Sequence, residues 1–262
     1  AFQKVLVANG ATMLVASSSY DPAIEEDQIR TMIARGADGI LLIGAERDPE
    51  IYDFLKERHI PVVIAWTGTG VSALSCVGFD NQAAARELAA RAIGLGHRRI
   101  AFISAFTQNN DRARDRVAGA RAALDAAGLD PDAMPVLETK YSIQCGRDAF
   151  VELMNASPRP TLVMCGNDVL AAGAVRAAHE LGLKVPADVS ITGFDDIELA
   201  TVIQPALTTV HVPHRQMGGL AAEVLLAQVR DNSAPQQVNL ETYIVERASL
   251  AAPGFQPTVA AE

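Results

Sequence analysis

Short apolar, β-branched runs alternate with longer segments of helical periodicity along most of the chain. The nearly continuous apolar character of the short runs is typical of parallel strands that helices cover on both faces. The alternation therefore predicts repeated β-α-β units and an α/β fold. The strand candidates are residues 12–16, 39–43, 61–65, 99–104, 161–165 and 189–192.

The helices are predicted mainly from their ends. Asp21-Pro22 and Asp48-Pro49 each place a capping carboxylate before a proline at the first helical position. Gly36, Gly96 and Gly128 follow helical segments and predict left-handed stops. The remaining helical segments are residues 82–95, 111–127, 143–154, 168–181 and 213–229.

The β-α alternation stops and starts again near Val77-Gly78-Phe79-Asp80. Three predicted strands precede this point, and the pattern resumes after it. Two open α/β lobes of roughly 120 residues each are therefore expected, rather than one sheet. No Ser/Gly-rich or Pro-rich linker separates them, so we expect the lobes to meet closely. Ligands of such folds bind in a cleft outside the carboxyl ends of the strands.

Composition and charge narrow the function classes. Of the 262 residues, 22 are basic and 31 acidic, which gives a formal net charge of −9. Non-specific nucleic-acid binding needs the opposite sign, so any contact with DNA must come from another segment. No apolar run approaches the roughly 20 residues of a membrane span, and no membrane contact is expected. Cys76, Cys145 and Cys165 are widely separated, so inert thiols in a reducing cytoplasm are predicted, not disulfides or a zinc site.

Sequence signatures of catalysis are missing. Residues 68–73 imitate a dinucleotide-binding fingerprint, but too few residues follow for the helix that would face the pyrophosphate. There is no nucleophile elbow, P-loop or H-E-x-x-H motif. His211 and His214 flank Pro213, which opens a helix, and no nearby acid or thiol completes a metal site. We therefore expect no enzyme activity, no cofactor and no metal.

An ordered series of motifs makes the chain more specific than its periodicity does. The series runs from Val77-Gly78-Phe79-Asp80-Asn81 through the Gly94-Leu95-Gly96-His97-Arg98-Arg99-Ile100 segment to Gly193-Phe194-Asp195-Asp196. Between the last two stand Arg116-Val117-Ala118-Gly119 and Cys165-Gly166-Asn167-Asp168. In this order and spacing the motifs resemble the effector-binding core of the lactose and galactose repressor family, from about Gly10 to Leu250.

The resemblance implies a type I periplasmic-binding-protein-like core with two open, doubly wound parallel-sheet lobes. The chain would cross between them three times, near Phe79, Val212 and Glu241. Residues 1–79 and 213–240 would form the N-terminal lobe, and residues 80–212 and 241–262 the C-terminal lobe. Such cores are cytoplasmic homodimers that bind a small effector between the lobes. Effector binding would allosterically control the binding of operator DNA by an N-terminal helix-turn-helix headpiece, which this chain lacks.

The start of the chain departs from the family pattern. The family core begins with a strand and most of a helix before the segment that matches residues 1–9. That strand normally lies in the middle of the first sheet. Without it, the predicted strands around Leu14 and Leu41 lose a shared neighbour, and backbone groups are left unpaired. We therefore expect the natural chain to extend upstream of Ala1.

The resemblance also assigns candidate effector-binding residues. Arg116 matches the pocket arginine of the family, whose planar fork of donors suits paired hydroxyls or a carboxylate. Asp195 resembles the effector-binding acid, and a carboxylate that accepts two hydroxyls selects sharply for a sugar. Asp196 is expected to be structural. Asn167 can contact a hydroxyl-rich ligand, cap a helix, or do both.

The other candidates carry open alternatives. Trp66 can stack on a sugar face or pack in the core. Alanine at position 65, where family members often place an acid, makes an anionic effector such as a sugar acid less disfavoured. His214, at a crossing into a helix, matches a position that is often an effector-contacting aromatic in the family. The remaining candidates, on loops above strands, are Tyr141, Phe106, Asn110 and Arg112. The expected effector is a sugar or sugar derivative; the alternative function is a periplasmic solute-binding protein of a sugar transporter, and an enzyme is a more distant third.

Overall fold

The computed structural model describes residues 1–68 and 73–254. Residues 69–72, in the glycine-rich run, and residues 255–262, in the second predicted lobe, lie outside the described residues.

The helices are α1 (Phe2–Ala8), α2 (Pro22–Ala34), α3 (Pro49–Glu57), α4 (Asn81–Gly94), α5 (Asp111–Ala126), α6 (Ile143–Met154), α7 (Asp168–Glu180), α8 (Leu199–Val202) and α9 (His214–Asp231). The strands are β1 (Ile40–Ile43), β2 (Val62–Ala65), β3 (Ser75–Gly78), β4 (Ile100–Ala105), β5 (Val136–Thr139), β6 (Leu162–Cys165), β7 (Ser190–Thr192), β8 (Thr209–His211), β9 (Gln237–Asn239) and β10 (Tyr243–Val245).

The chain divides into two compact units. The first consists of Ala1–Asp80, Gln108–Arg112 and Pro213–Glu241, and the second contains the rest of the described chain. Three of the boundaries between the units follow Asp80, Val212 and Glu241. Each unit is built on a parallel sheet with intervening helices, which confirms the predicted α/β class.

The first unit contains a four-stranded parallel sheet in the order β1-β2-β3-β9. Its core packs α2 and α3 on the sheet through Ile29, Leu55 and Ile64, all nearly inaccessible to solvent. The predicted caps form: the Asp21 carboxylate accepts hydrogen bonds from the backbone of Ala23 and Ile24. Local sequence thus determines where these helices begin.

The strand predicted at residues 12–16 is wrong. This segment has no regular secondary structure and pairs with no strand in the described part of the chain, and Leu14 and Val15 are 59% and 75% exposed. A cavity of about 1220 Å³ is lined both by this segment and by β1, whose only paired neighbour among the described strands is β2. A strand exists only where a second backbone completes its hydrogen bonds, and this segment is paired with no strand of the described residues.

The second unit contains a four-stranded parallel sheet in the order β5-β4-β6-β7 and a two-stranded antiparallel sheet of β8 and β10. Phe150, Leu170 and Ile191 are completely buried in a core that α6 and α7 share with the sheet. These two helices cross closely because glycine stands at the contact. A Cβ at Gly173 would lie 2.1 Å from the carbonyl oxygen of Ile143.

The second lobe boundary needs one correction. The sequence assigned residues 108–112 to the C-terminal lobe, but these residues belong to the first unit. The physical reason is a set of contacts with the loop after β1. The Asp111 carboxylate accepts a hydrogen bond of 2.6 Å from the backbone N–H of Ala45. The Arg112 guanidinium fills the space over Gly44, where a Cβ would lie 1.7 Å from Nη1.

The family resemblance also implies the last strand, at residues 242–245, where β10 lies. Four short strands were not predicted from the sequence: β3, β5, β8 and β9. Their sequences mix polar and apolar residues, as in Gln237-Val238-Asn239, so they contain no apolar run from which a strand could be predicted. Across the described residues, no helix is both long enough and apolar enough to cross a lipid bilayer.

Candidate functional site

A buried arginine organises one group of residues in the second unit, at the end of the sheet where the strands finish. Arg116, on α5, is 4% exposed. Its Nε donates to Asn81 Oδ1 at 2.9 Å, and its Nη1 donates to the carbonyl oxygen of Gly166 at 2.6 Å. Its Nη2 lies 3.4 Å from Asp195 Oδ1, and its Cζ lies 3.8 Å from the ring centre of Phe194. We call these five residues the arginine site.

Asp195 has a backbone conformation that L-residues rarely adopt. Its φ is +108°, and Asp196 follows with φ of +56°. The Asp195 N–H donates to the carbonyl oxygen of Val210 at 3.0 Å, which ties the turn to β8. The Asp195 side chain keeps 21% of its surface accessible. Strain of this kind clusters at functional sites, and here it presents a carboxylate that solvent can reach.

Asp196 points to different partners from Asp195. Its carboxylate accepts hydrogen bonds from Arg247 Nη2 at 2.6 Å and binds His211 Nδ1 at 2.8 Å. The His211 ring is stacked on Tyr243 with 4.7 Å between the ring centres. These contacts join the turn to β8 and β10, and the structural role expected for Asp196 stays a prediction.

Asn167 stands next to Gly166 of the arginine site. Its Oδ1 accepts a hydrogen bond of 2.9 Å from the backbone N–H of Leu170, so the side chain caps α7. The residue is half-buried. Its amide NH₂ group is a donor that the cap does not require. Capping and ligand contact are therefore compatible at this position.

Trp66 and His214 form an aromatic pair in the first unit. Their ring centres are 5.9 Å apart and the rings are tilted by 33°. Trp66 directly follows β2 with φ of +66°, and His214 is the first residue of α9. Both side chains are half-buried. Two candidates that are far apart in sequence thus form one apolar wall with a polar edge.

Asn110 and Arg112 lie in the first unit and are 1% and 8% exposed. Arg112 Nη1 pairs with Asp111 Oδ1 at 2.9 Å, and its guanidinium carbon lies 6.0 Å from the Tyr20 ring centre. Arg112 also lines the 1220 Å³ cavity, together with Tyr20 and Asn109. Arg112 and Arg116 both lie on α5, but the two arginines have separate partners.

Two loop candidates in the second unit have simpler surroundings. Tyr141 packs against the apolar core of that unit. Phe106 is 50% exposed, beside Thr107, whose hydroxyl donates to Glu138 at 2.6 Å. The described contacts of Tyr141 include core packing, and Phe106 lies at the surface.

Sequence reasoning missed three residues that build the site. Asn81 and Phe194 contact Arg116 directly, and Asp168 lies beneath the turn that carries Asp195. All three occur inside the motifs that carry the family resemblance, so their positions were marked. Their roles were hidden because their partners belong to other elements of the fold, which lie far away along the chain.

Asp168, in the same region, has a strongly raised pKa. It is completely buried. Burial raises the pKa of Asp168 to about 7, and hydrogen bonds from Thr209 and Ile197 oppose that rise. Across residues 1–68 and 73–254, no group of three His, Cys, Asp or Glu side chains is placed to hold a metal ion.

Comparison with known proteins agrees with this architecture. Residues 89–250 match the family model described as a periplasmic binding protein-like domain. The HTH-type transcriptional repressor PurR of Klebsiella pneumoniae (strain 342) is 31% identical over 252 residues, which cover 95% of this chain and 74% of that protein.

Solved structures of regulators are also similar. The transcription regulator GntR from Chromobacterium violaceum superposes with a TM-score of 0.86 at 32% identity and covers 95% of this chain and 92% of its own. A LacI family transcriptional regulator from Enterococcus faecium, with bound ribose, gives a TM-score of 0.84 at 25% identity and covers 96% and 91%.

The fold and the family model together define a periplasmic-binding-protein-like ligand-binding domain. The chain belongs to the LacI family of transcriptional regulators and corresponds to their effector-binding core. The family resemblance read from the motifs is therefore confirmed.

Proposed function

We propose that this chain is the effector-sensing and dimerisation core of a transcriptional repressor, and that its effector is a sugar or sugar derivative. The observation that carries the proposal is the Arg116–Asp195 pair at the end of the second unit's sheet. The strained backbone of Asp195 keeps its carboxylate partly accessible although the surrounding residues are buried.

The chemistry of the pair suits a ligand with neighbouring hydroxyls. An ionised carboxylate only accepts hydrogen bonds, and two adjacent hydroxyls can satisfy both of its oxygens. An analogue that lacks one hydroxyl leaves a buried acceptor unpaired, which disfavours its binding. The ribose bound in the Enterococcus faecium regulator has such neighbouring hydroxyls, and it supports the same ligand class here.

Control of DNA binding requires only that the effector binds one conformation of the core more tightly than another. Coupling of about 1–3 kcal/mol between effector and DNA sites is typical of such proteins. In this proposal, operator DNA is bound by a headpiece outside these 262 residues, and the core forms a homodimer. The expectation that the effector lies between two lobes stays a prediction. The transporter alternative is disfavoured because the relatives are named as transcriptional repressors and regulators.

The ligand class is tested by thermal shift and titration calorimetry. The probes are D-ribose, ribitol, D-gluconate and hypoxanthine, because a ligand that binds the native state raises its melting temperature. We expect a sugar, polyol or sugar acid to bind, and Asp195→Asn to abolish that binding. Asp125→Asn is the matched control: Asp125 is an exposed acid on α5, the helix that carries Arg116.

Three results would contradict the proposal. Binding of hypoxanthine alone would reject the sugar class, and undiminished affinity in Asp195→Asn would reject the site. Chemical turnover of a bound sugar would favour an enzyme instead. Light scattering tests the dimer, for which we expect twice the monomer mass.

A further inference from the structure

The buried Asp168 connects three parts of the second unit. It is the first residue of α7. Its Oδ1 accepts a hydrogen bond of 2.6 Å from the Thr209 hydroxyl on β8, and its Oδ2 accepts one of 2.8 Å from the backbone N–H of Ile197. Its own backbone N–H donates to the carbonyl oxygen of Phe194 at 2.9 Å. Two of these three bonds go to residues 194–197, which we call the acidic turn.

The acidic turn carries Asp195, and Asp168 contacts it on both sides of that residue. Phe194, held from one side, is also the ring on which Arg116 is stacked. The approach is close enough to require glycine: a Cβ at Gly193 would lie 2.2 Å from Asp168 Oδ1. A backbone conformation as strained as that of Asp195 persists only when its surroundings over-determine it. Asp168 supplies such a restraint from inside the protein.

We propose that Asp168 is a positioning residue, which fixes the acidic turn so that Asp195 presents its carboxylate to the effector. The proposal rests on the proposed function, because it assigns Asp195 to effector binding. Asp168 itself is completely buried and acts through the turn. Thr209 contributes to the same positioning, because its hydroxyl on β8 donates a hydrogen bond to the Asp168 carboxylate.

The charged state of Asp168 affects how well it holds the turn. Both of its side-chain hydrogen bonds are donated to the carboxyl group, and an ionised carboxylate accepts them better than a protonated acid does. The pKa of Asp168 is raised to about 7, first by burial and then by the negative charges of Asp195 and Asp196, while its hydrogen bonds lower it.

Other ionisable groups surround this acid and must be separated from it. Cys165 ends the neighbouring strand β6, and burial raises the pKa of its thiol, so the thiol stays neutral. Asp195 is paired with Arg116, and Asp196 with Arg247 and His211. The position of the acidic turn should therefore respond to pH near neutrality. Asp168→Asn should remove the part of this response that comes from the titration of Asp168.

The first arm of the test measures, without a ligand, how firmly the acidic turn is held. Amide hydrogen exchange and chemical shifts of Asp195 and Ile197 are recorded in the wild type, Asp168→Asn and Thr209→Val. We expect exchange at Ile197 to become about tenfold faster in both variants, since one charge-assisted hydrogen bond is lost or weakened. Thr209→Ser keeps the hydroxyl and should restore the wild-type rate.

The matched control is Thr192→Val. Thr192, on β7, is as completely buried as Thr209, but its hydroxyl makes no hydrogen bond to any described residue, Asp168 included. It should leave exchange at Ile197 unchanged relative to global unfolding. In the wild type the Ile197 amide shift should titrate with a midpoint near 7, and Asp168→Asn should remove that step.

The second arm measures D-ribose affinity by calorimetry between pH 5.5 and 8.5. Wild-type affinity should fall by about threefold to tenfold at the acidic end, as expected for one weakened charged hydrogen bond. The dependence of affinity on pH should disappear in Asp168→Asn and stay as in the wild type in Thr192→Val.

Unchanged exchange at Ile197 in both Asp168→Asn and Thr209→Val overturns the positioning role. So does a loosened turn with unaltered D-ribose affinity. If the wild type does not bind D-ribose or any other probe of the panel, the proposed function fails, and the exchange arm still decides whether Asp168 holds the turn.

Discussion

Arg116 Nη2 lies 3.4 Å from Asp195 Oδ1, and this is the longest of the three polar contacts of the guanidinium. The two shorter bonds, to Asn81 and Gly166, fix the position of the guanidinium. The contact between Asp195 and this guanidinium is long, whereas the backbone N–H of Asp195 is bonded to Val210 at 3.0 Å. A carboxylate in that situation can exchange part of its bond to arginine for a bond to a ligand hydroxyl.

The strained backbone of Asp195 predicts a difference between two substitutions. Glycine adopts a φ of +108° freely, whereas alanine is strained there. Asp195→Gly should therefore be more stable than Asp195→Ala by about 1 kcal/mol. Both remove the carboxylate, so both should lose sugar binding. Urea unfolding and calorimetry measure the two effects, and equal stability of the variants would mean that the strain is absent.

The fork of Arg116 predicts that lysine cannot replace it. Lysine carries one ammonium group and cannot reach Asn81, Gly166 and Asp195 in the same planar geometry. Arg116→Lys should cost about 2–3 kcal/mol, because a buried acceptor loses its donor. Arg121→Lys, at an exposed position on the same helix, should change stability by less than about 0.5 kcal/mol. A similar cost for both variants would contradict this role of Arg116.

His97 predicts a loss of stability in acid. Its ring is completely buried between the Thr161 hydroxyl and the carbonyl oxygen of Ala251, and burial lowers the pKa of the imidazole below its usual value of 6.5. The unfolded chain therefore binds a proton more readily than the native state, and this contribution to stability is lost as pH falls below about 6.5. The gap in melting temperature between the wild type and His97→Gln should narrow from pH 7.5 to pH 5.

The contribution of Asp168 to stability should change with pH in the opposite direction to that of His97. Its pKa is about 7 in the native state and 3.8 in the unfolded reference, so the native state binds the extra proton between these values. The contribution of Asp168 to stability should fall by at least about 1 kcal/mol as pH rises from 4 to 7.5, and stay constant above. The measurement is the difference in the free energy of unfolding between the wild type and Asp168→Asn across that range. A difference that rises with pH would exclude a raised pKa.

The α6–α7 crossing predicts a strong steric effect. Alanine at Gly173 would place its Cβ 2.1 Å from the carbonyl oxygen of Ile143, and backbone atoms cannot move away cheaply. Gly173→Ala should cost about 2–3 kcal/mol. Gly219→Ala in α9 meets nothing within 4 Å and should stabilise the helix by about 0.5–1 kcal/mol. Chemical denaturation measures the free energy of unfolding of the two variants. Equal values for Gly173→Ala and Gly219→Ala would mean that α6 and α7 can move apart to accept the methyl group.

The sequence by itself determined the features that depend on neighbouring residues. Helix starts at Asp21 and Asp48 are local, because a capping carboxylate bonds to backbone groups two or three residues away. The α/β class and the family followed from apolar periodicity and from motif order, which are also read along the chain. The helix boundaries of α6 were predicted to the residue.

The tertiary structure alone decided the features that depend on distant partners. The strand expected at residues 12–16 does not form, because strand formation requires a neighbouring backbone, not only an apolar run. Residues 108–112 belong to the first unit because Asp111 bonds to Ala45, sixty-six positions away. The arginine site, the Trp66–His214 pair and the raised pKa of Asp168 likewise arise from burial and from contacts that the fold assembles, and no local pattern encodes them.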